Sequence, residues 1–185
     1  MNRAEALELL YSHVKEKANR QHALESEAVM RAMAERLGQN ADDWGLCGLL
    51  HDLDWEACAS EPEKHGLMTV EILKNTDLSP EIIEAIPHHN HSCNGSGKPV
   101  SLMAKALMPC ETVTGLIIAC VLVRPDKDIA AIPVSSIRKK FKDKAFARNC
   151  SRTAIAMCED LGVPLEEFLA MSRDAIAAIS HELEI

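Results

Sequence analysis

Aromatic residues make up only 3% of this chain, so Leu, Ile, Ala and Met must fill whatever interior it forms, a composition that favours helices over sheets. No stretch alternates apolar and polar residues as a half-buried strand would, and no internal repeat or low-complexity linker interrupts the sequence. The seven cysteines form no CxxC pair and leave an odd count, which fits reduced, partly buried thiols better than a disulfide framework or a zinc site. Met1 to Arg20 lacks the apolar core of a signal peptide, and the longest apolar run, Gly115 to Val123, is about half a bilayer span. The expectation is a cytoplasmic protein with no membrane partner. Basic residues are outnumbered by acidic ones, giving a formal net charge of −8, which argues against general nucleic-acid binding resting on phosphate neutralisation.

What is present fits one helical domain spanning 1–185, with a core over about 20–125 and a C-terminal helical extension over about 126–185. Apolar periodicity predicts helices over Ala4 to Lys15, from His22 to Leu37 with Gly38 ending it, and through Trp44 to Leu50 with Asp42 or Asp43 as cap. A fourth helix is expected from Lys64 to Lys74 with His65 in its first turn. A fifth starts at Ser79-Pro80-Glu81 and meets Pro87. Leu102 to Val123 reads as the longest helix, kinked by Pro109. Ile129 to Arg138 reads as a loop with a short helical turn, followed by helices over Asp143 to Leu161 and Pro164 to Glu182. The Met- and Ala-rich helices leave room for a homo-oligomer.

The stretch Gly45 to Glu56, GLCGLLHDLDWE, carries the chemistry. An apolar helix delivers His51 and Asp52 side by side. Neighbours on a helix point about 100° apart, so both cannot face a dry core, yet a long imidazole and a short carboxylate can converge on one ion. An unpaired buried carboxylate costs several kcal/mol, which a divalent cation offsets. Six of the eight histidines fall between His22 and His91, at expected helix ends, where side chains from several helices can meet. Asp54 could cap the chain after the dyad or orient a ligand imidazole. Glu25 could do the same one turn beyond His22, though a solvated helix face suits it better. His88 and His91 read as loop residues, and His13 and His181 as surface residues near the termini.

The ordered set resembles the HD superfamily of metal-dependent phosphohydrolases. The likeness rests on His22-Ala-Leu-Glu-Ser-Glu-Ala and Gly48-Leu-Leu-His51-Asp52-Leu-Asp54. Lys64-His65-Gly66, Ile86-Pro-His-His89-Asn90, and Thr114-Gly-Leu-Ile through Leu122-Val-Arg124-Pro125 extend it to a stand-alone bacterial and archaeal group, over roughly residues 20 to 180. The resemblance implies an all-α helical bundle. It implies His22, His51 and Asp52 as ligands of a first metal and His65 and His89 as ligands of a second, with Asp52 bridging. Glu111 stands where the family's final aspartate normally sits, one methylene longer.

The expected activity is hydrolysis of a phosphate ester on a small molecule, with nucleotides among the candidates, by a metal-bound hydroxide that Asp52 holds and orients. His89, or a lysine such as Lys142, would stabilise charge on the phosphoryl group or leaving oxygen. That lysine would come from Arg138 to Arg152, which holds seven basic residues and only Asp143 as an acid. A histidine-rich set suits one or two ions of Mn, Fe, Co, Ni or Zn. Two other readings use the same residues: a di-iron oxygenase, and a module that binds a metal or phosphorylated ligand without turnover.

Overall fold

The computed structural model describes residues 1–183. Among the described residues the chain consists of helices, turns and loops with no strand, the all-α bundle the composition predicts. In order the helices are α1 (Arg3–His13), α2 (Lys17–Arg36), α3 (Ala41–Leu50), α4 (Leu67–Leu73), α5 (Pro80–Ala85), α6 (His91–Asn94), α7 (Leu102–Leu122), α8 (Val134–Lys142), α9 (Arg152–Ala156), α10 (Leu165–Ala178) and α11 (Ser180–Leu183). Short 3₁₀ segments occupy Pro62–Lys64, Ile86–Asn90 and Met157–Leu161.

Two long helices organise the bundle. α2 packs on α3, α7 and α10, while α7 packs on α2, α5, α8, α9 and α10. Between them lie Met30, Met33, Leu49, Leu50, Ile82, Ile86, Leu107 and Leu116, all fully buried, with Phe168 the one aromatic among the largest buried side chains. By length and composition alone α7 could cross a membrane, but 56% of its most apolar stretch is buried inside the protein, as in a core helix. It runs unbroken through Pro109.

At two helix starts that differ from the sequence expectation, a side chain outside the helix takes up its first amides or those just before it. Asn40, rather than Asp42 or Asp43, caps α3 by accepting hydrogen bonds from both of their amides. α2 begins at Lys17, not His22. The Glu56 carboxylate accepts the Lys15 and Glu16 amides at 3.0 and 2.9 Å, and an acid at a helix N-terminus favours the positive end of the helix dipole. His22 is thereby set inside the helix, with its side chain held on α2's packed face. In the extension, Val134–Lys142 is a full helix, and the helix expected over Asp143 to Leu161 is instead an irregular segment followed by α9 and a 3₁₀ turn. Arg152 explains the irregular segment. Its guanidinium donates to the carbonyls of Phe141, Phe146, Ala147 and Cys150, groups that a regular helix would have paired internally.

Gly48 sets the spacing between α2 and α3. A β-carbon there would lie 2.6 Å from the Ser26 carbonyl oxygen and 2.9 Å from the Glu27 nitrogen, both backbone atoms that cannot swing aside. Gly48→Ala is expected to destabilise the protein by about 1–3 kcal/mol through overpacking, measured as a lower urea midpoint with an unchanged m-value.

Candidate metal centre

The α2–α3 contact brings the His22 ring from α2 and the His51 ring from the end of α3 to 5.2 Å between centroids. Each histidine is fixed through its Nδ1. His51 Nδ1 donates to the Gly48 carbonyl at 2.7 Å, and His89 Nδ1 donates to the Ile86 carbonyl at 2.5 Å. His65 Nδ1 lies 2.7 Å from Asp54 Oδ1. The Thr114 hydroxyl donates to the Glu111 carbonyl, so it can only accept from His22 Nδ1, at 3.0 Å. With the four Nδ1 protons committed, the Nε2 lone pairs are the free ligating atoms.

Those lone pairs converge on Asp52. Its Oδ1 is 3.2 Å from His51 Nε2, 3.4 Å from His65 Nε2 and 3.5 Å from His89 Nε2, while Oδ2 is 3.7 Å from His22 Nε2. Two groups result that could hold a metal ion, His22–His51–Asp52 and Asp52–His65–His89, with Asp52 common to both. His51 Nε2 and Asp52 Oδ1 are buried without a hydrogen-bond partner, a costly state that a cation would relieve. His65 Nε2 and His89 Nε2 face each other at 2.9 Å. Since both rings already donate through Nδ1, that contact is favourable only with a positive charge between the nitrogens, either a proton or a metal ion. The donor set, four imidazoles and a carboxylate, fits a transition metal.

The electrostatics follow from burial and these neighbours. Burial drives the His51 imidazole down to about 3, so it stays neutral with its lone pair available. Burial alone would raise the Asp52 carboxyl, but His51, His89 and His22 outweigh it and hold the group well below the usual carboxylate range. Burial likewise opposes charge on His89, yet its contact with Asp52 prevails and raises it. Burial pushes the Glu111 carboxyl up, partly offset by His22.

Asp54 ties the second group together. One oxygen holds His65 Nδ1, and the other accepts the amides of Gly66 and Thr69 at 2.8 and 2.9 Å. The carboxylate therefore both orients a ligand imidazole and caps α4, the two roles the sequence left open. It also displaces the expected helix start: His65 lies before α4 in extended backbone, and Gly66 turns the chain at φ +85°. Asn94 Nδ2 bridges the His65 and Pro87 carbonyls, locking the loop of His65 to the segment carrying His89.

The structure gathers His22, His51, Asp52, His65 and His89. Glu111 stands beside them with Oε2 3.9 Å from His22 Nε2, but it completes neither ligand group, and its other oxygen accepts the Thr112 hydroxyl. Lys142 is not brought to the centre. α8 turns Ile137 into the core and packs Phe141 against it, which leaves Lys142 exposed in a separate groove with Ser135, Arg138, Lys139 and Glu166. Lys140 lies over the Phe146 ring. His13 and His181 are on the surface, as expected. Glu25, by contrast, is buried at 5% exposure rather than solvated.

The centre floors an open cleft of about 440 Å³, whose other walls are Asn19, Trp55, Asn90, Thr112, Asn149 and Ser151. Sequence reasoning missed these. Trp55, adjoining the His-Asp-Leu-Asp run, was the one with a visible signal, a large aromatic beside a charged site. Asn149 and Ser151 arrive only because Arg152 folds the segment before it.

The HD domain family matches residues 19–124, more than half of the chain, and the chain belongs to that family. The match spans α2 through α7, the elements that supply the centre, and ends before α8. Among curated proteins, Ribonuclease Y of Geobacter sulfurreducens and Ribonuclease Y of Geotalea uraniireducens are each 30% identical to it over 95 residues. That stretch is 51% of this chain but 18% of either relative, so the chain spans less than a fifth of the length of the curated relatives it matches. No solved structure matches. HD domains bind divalent metals and are typically phosphohydrolases.

Two outcomes follow from this geometry. Asp54→Asn is expected to weaken metal retention about 10- to 100-fold by loosening His65, read as ion content after dialysis against a graded chelator series. Burial raises the Glu25 carboxyl to about 7. A carboxyl raised from 4.5 to about 7 contributes stability that is present below pH 4.5 and lost as pH rises to 7. Glu25→Gln should therefore stabilise the protein by roughly 2–3 kcal/mol at pH 8 and flatten the loss of stability between pH 5 and pH 7 in urea melts.

Proposed function

We propose that the protein hydrolyses a phosphate ester on a small molecule in a metal-dependent reaction. The observation that carries this reading is the pair of ligand groups sharing Asp52 at the floor of an open cleft. His22, His51 and Asp52 would hold one ion, and Asp52, His65 and His89 a second, drawn from Mn, Fe, Co, Ni or Zn. When bound, such ions supply charge against phosphoryl oxygens and acidify water to near neutrality.

The chain's own residues do the rest. Among the described residues no lysine or arginine lines the cleft, so no basic side chain there meets a dianionic phosphate. Neutralisation falls to the imidazole-bound centre, which is what makes the reaction metal-dependent. Asp52 presents Oδ2 toward His22 and Oδ1 toward His65 and His89, the placement of a shared ligand. Ser151, which also lines the cleft, offers a neutral hydroxyl to the phosphoryl oxygens.

A two-ion centre of this kind also suits O₂-dependent oxidation with two irons, and metal analysis separates the readings. The purified protein is expected to retain a transition metal. Loaded with Mn, Co or Ni, it should hydrolyse members of a panel of phosphomonoesters, nucleotides and cyclic dinucleotides, with Asp52→Ala and His51→Ala at background. Glu111→Asp should retain or raise activity. Activity that survives Asp52→Ala would sink the proposal, and iron content with O₂ consumption and no phosphatase activity would transfer it to the oxygenase class. Metal retention with neither activity would make it a binding module.

A further inference from the structure

The cleft wall above the metal centre has a composition that the hydrolytic reading does not use. Trp55 is 50% exposed there, in a chain with two tryptophans whose other member, Trp44, is buried. Its ring stands edge-to-face with His65, centroids 5.0 Å apart at 75°, which fixes the indole beside a candidate metal ligand. Exposing that much indole forgoes burial that would stabilise the fold. Trp55 lines the cleft.

Apart from the carboxylates of Asp52 and Glu111 and the histidines of the centre, the residues lining the cleft with it are neutral and polar. Asn19 donates to Glu56 through Nδ2, which leaves its Oδ1 open. The Asn149 amide makes no hydrogen bond to the rest of the described chain. An amide offers a donor and an acceptor in one plane, the pattern that pairs with the edge of a nucleobase. A planar π-face beside open amides, over a centre built for one phosphate group, describes a base, a sugar and a phosphate monoester in that order. The cleft, at about 440 Å³, lies toward the small end of small-molecule sites. Neither this size nor the net charge of −8 suits a polynucleotide, whose backbone phosphates would find no lysine or arginine in the cleft.

We propose that Trp55 is a specificity-determining residue that stacks the base of a nucleoside monophosphate while the ester sits at Asp52. The assignment rests on the phosphate-ester reading above and names its substrate class. Stacking on an aromatic side chain is tolerant of base identity, so purines and pyrimidines are both accepted, with purines favoured by their larger face.

The test compares adenosine 5′-monophosphate with ribose 5-phosphate, which carries the same sugar and ester without a base. In the metal-loaded protein the ratio of their kcat/KM values should favour the nucleotide. In Trp55→Ala that ratio should fall about 5- to 100-fold, the range of base–aromatic stacking, while Trp55→Phe keeps most of it. Using the ratio cancels any disturbance of His65 shared by both substrates. In parallel, adenosine 5′-monophosphate should quench the exposed tryptophan's fluorescence at concentrations where ribose 5-phosphate does not. An unchanged ratio in Trp55→Ala overturns the proposal and leaves the phosphate-ester reading standing. If no phosphate ester is hydrolysed, that reading fails, and the quench alone decides whether the base site exists. Preference for a single-stranded RNA over the monophosphate overturns the proposal in favour of a polymer substrate.

Discussion

A carboxylate sits at the centre of this molecule with ring nitrogens of four histidines within 3.2–3.7 Å of its oxygens. Burying the Asp52 charge among lone pairs that all point inward is unfavourable unless positive charge joins them. Much of the surrounding architecture follows from that constraint. The backbone contact at Gly48 brings His51 against His22, Asp54 steadies His65, and the 3₁₀ segment at Ile86–Asn90 turns His89 back onto the Ile86 carbonyl. Each histidine gives up Nδ1 to a protein acceptor and keeps Nε2 for the centre. Belonging to the HD domain family accounts for the ligand order; the hydrogen bonds account for why each ring faces as it does.

Helix content and the His51-Asp52 dyad were legible in the sequence because both depend on local pattern, whereas the other candidate ligands came from the resemblance to the HD superfamily. Apolar periodicity exposed α2, α3, α7 and α10, and His-Asp after an apolar run exposed the dyad. What escaped was long-range. The starts of α2 and α4 are fixed by Glu56 and Asp54, acids distant in sequence whose partners no local rule could name. The segment before Arg152 looked like a basic helix, yet one guanidinium claims its carbonyls and bends it toward the cleft. The concentration of basic residues from Arg138 to Arg152 suggested a lysine such as Lys142 beside a phosphate, but α8 turns Ile137 into the core and leaves Lys142 exposed in a separate groove. Glu25, expected on a solvated helix face, is buried where α2 packs against its neighbouring helices.

The division of labour between the family core and the C-terminal helices is now visible. Residues of α2 through α7 supply the centre, while Asn149 and Ser151, from beyond the matched region, close one wall of the cleft. Among the described residues the cleft holds no lysine or arginine, so any positive charge in it must come from the imidazoles or from what they could hold.

The two ligand groups are anchored with unequal firmness. His22 and His51 project from helices that meet at backbone contact across Gly48, so their separation is set before any ligand arrives. His65, in extended backbone before α4, and His89, in the short 3₁₀ segment, are tied in place through Asn94 and Asp54 by a handful of hydrogen bonds. Local unfolding of the short α4 would scatter the second group and leave the first intact. The molecule therefore carries a gradient of preorganisation across a single carboxylate. One half is rigid by packing; the other is assembled by polar contacts and tunable without disturbing the hydrophobic core.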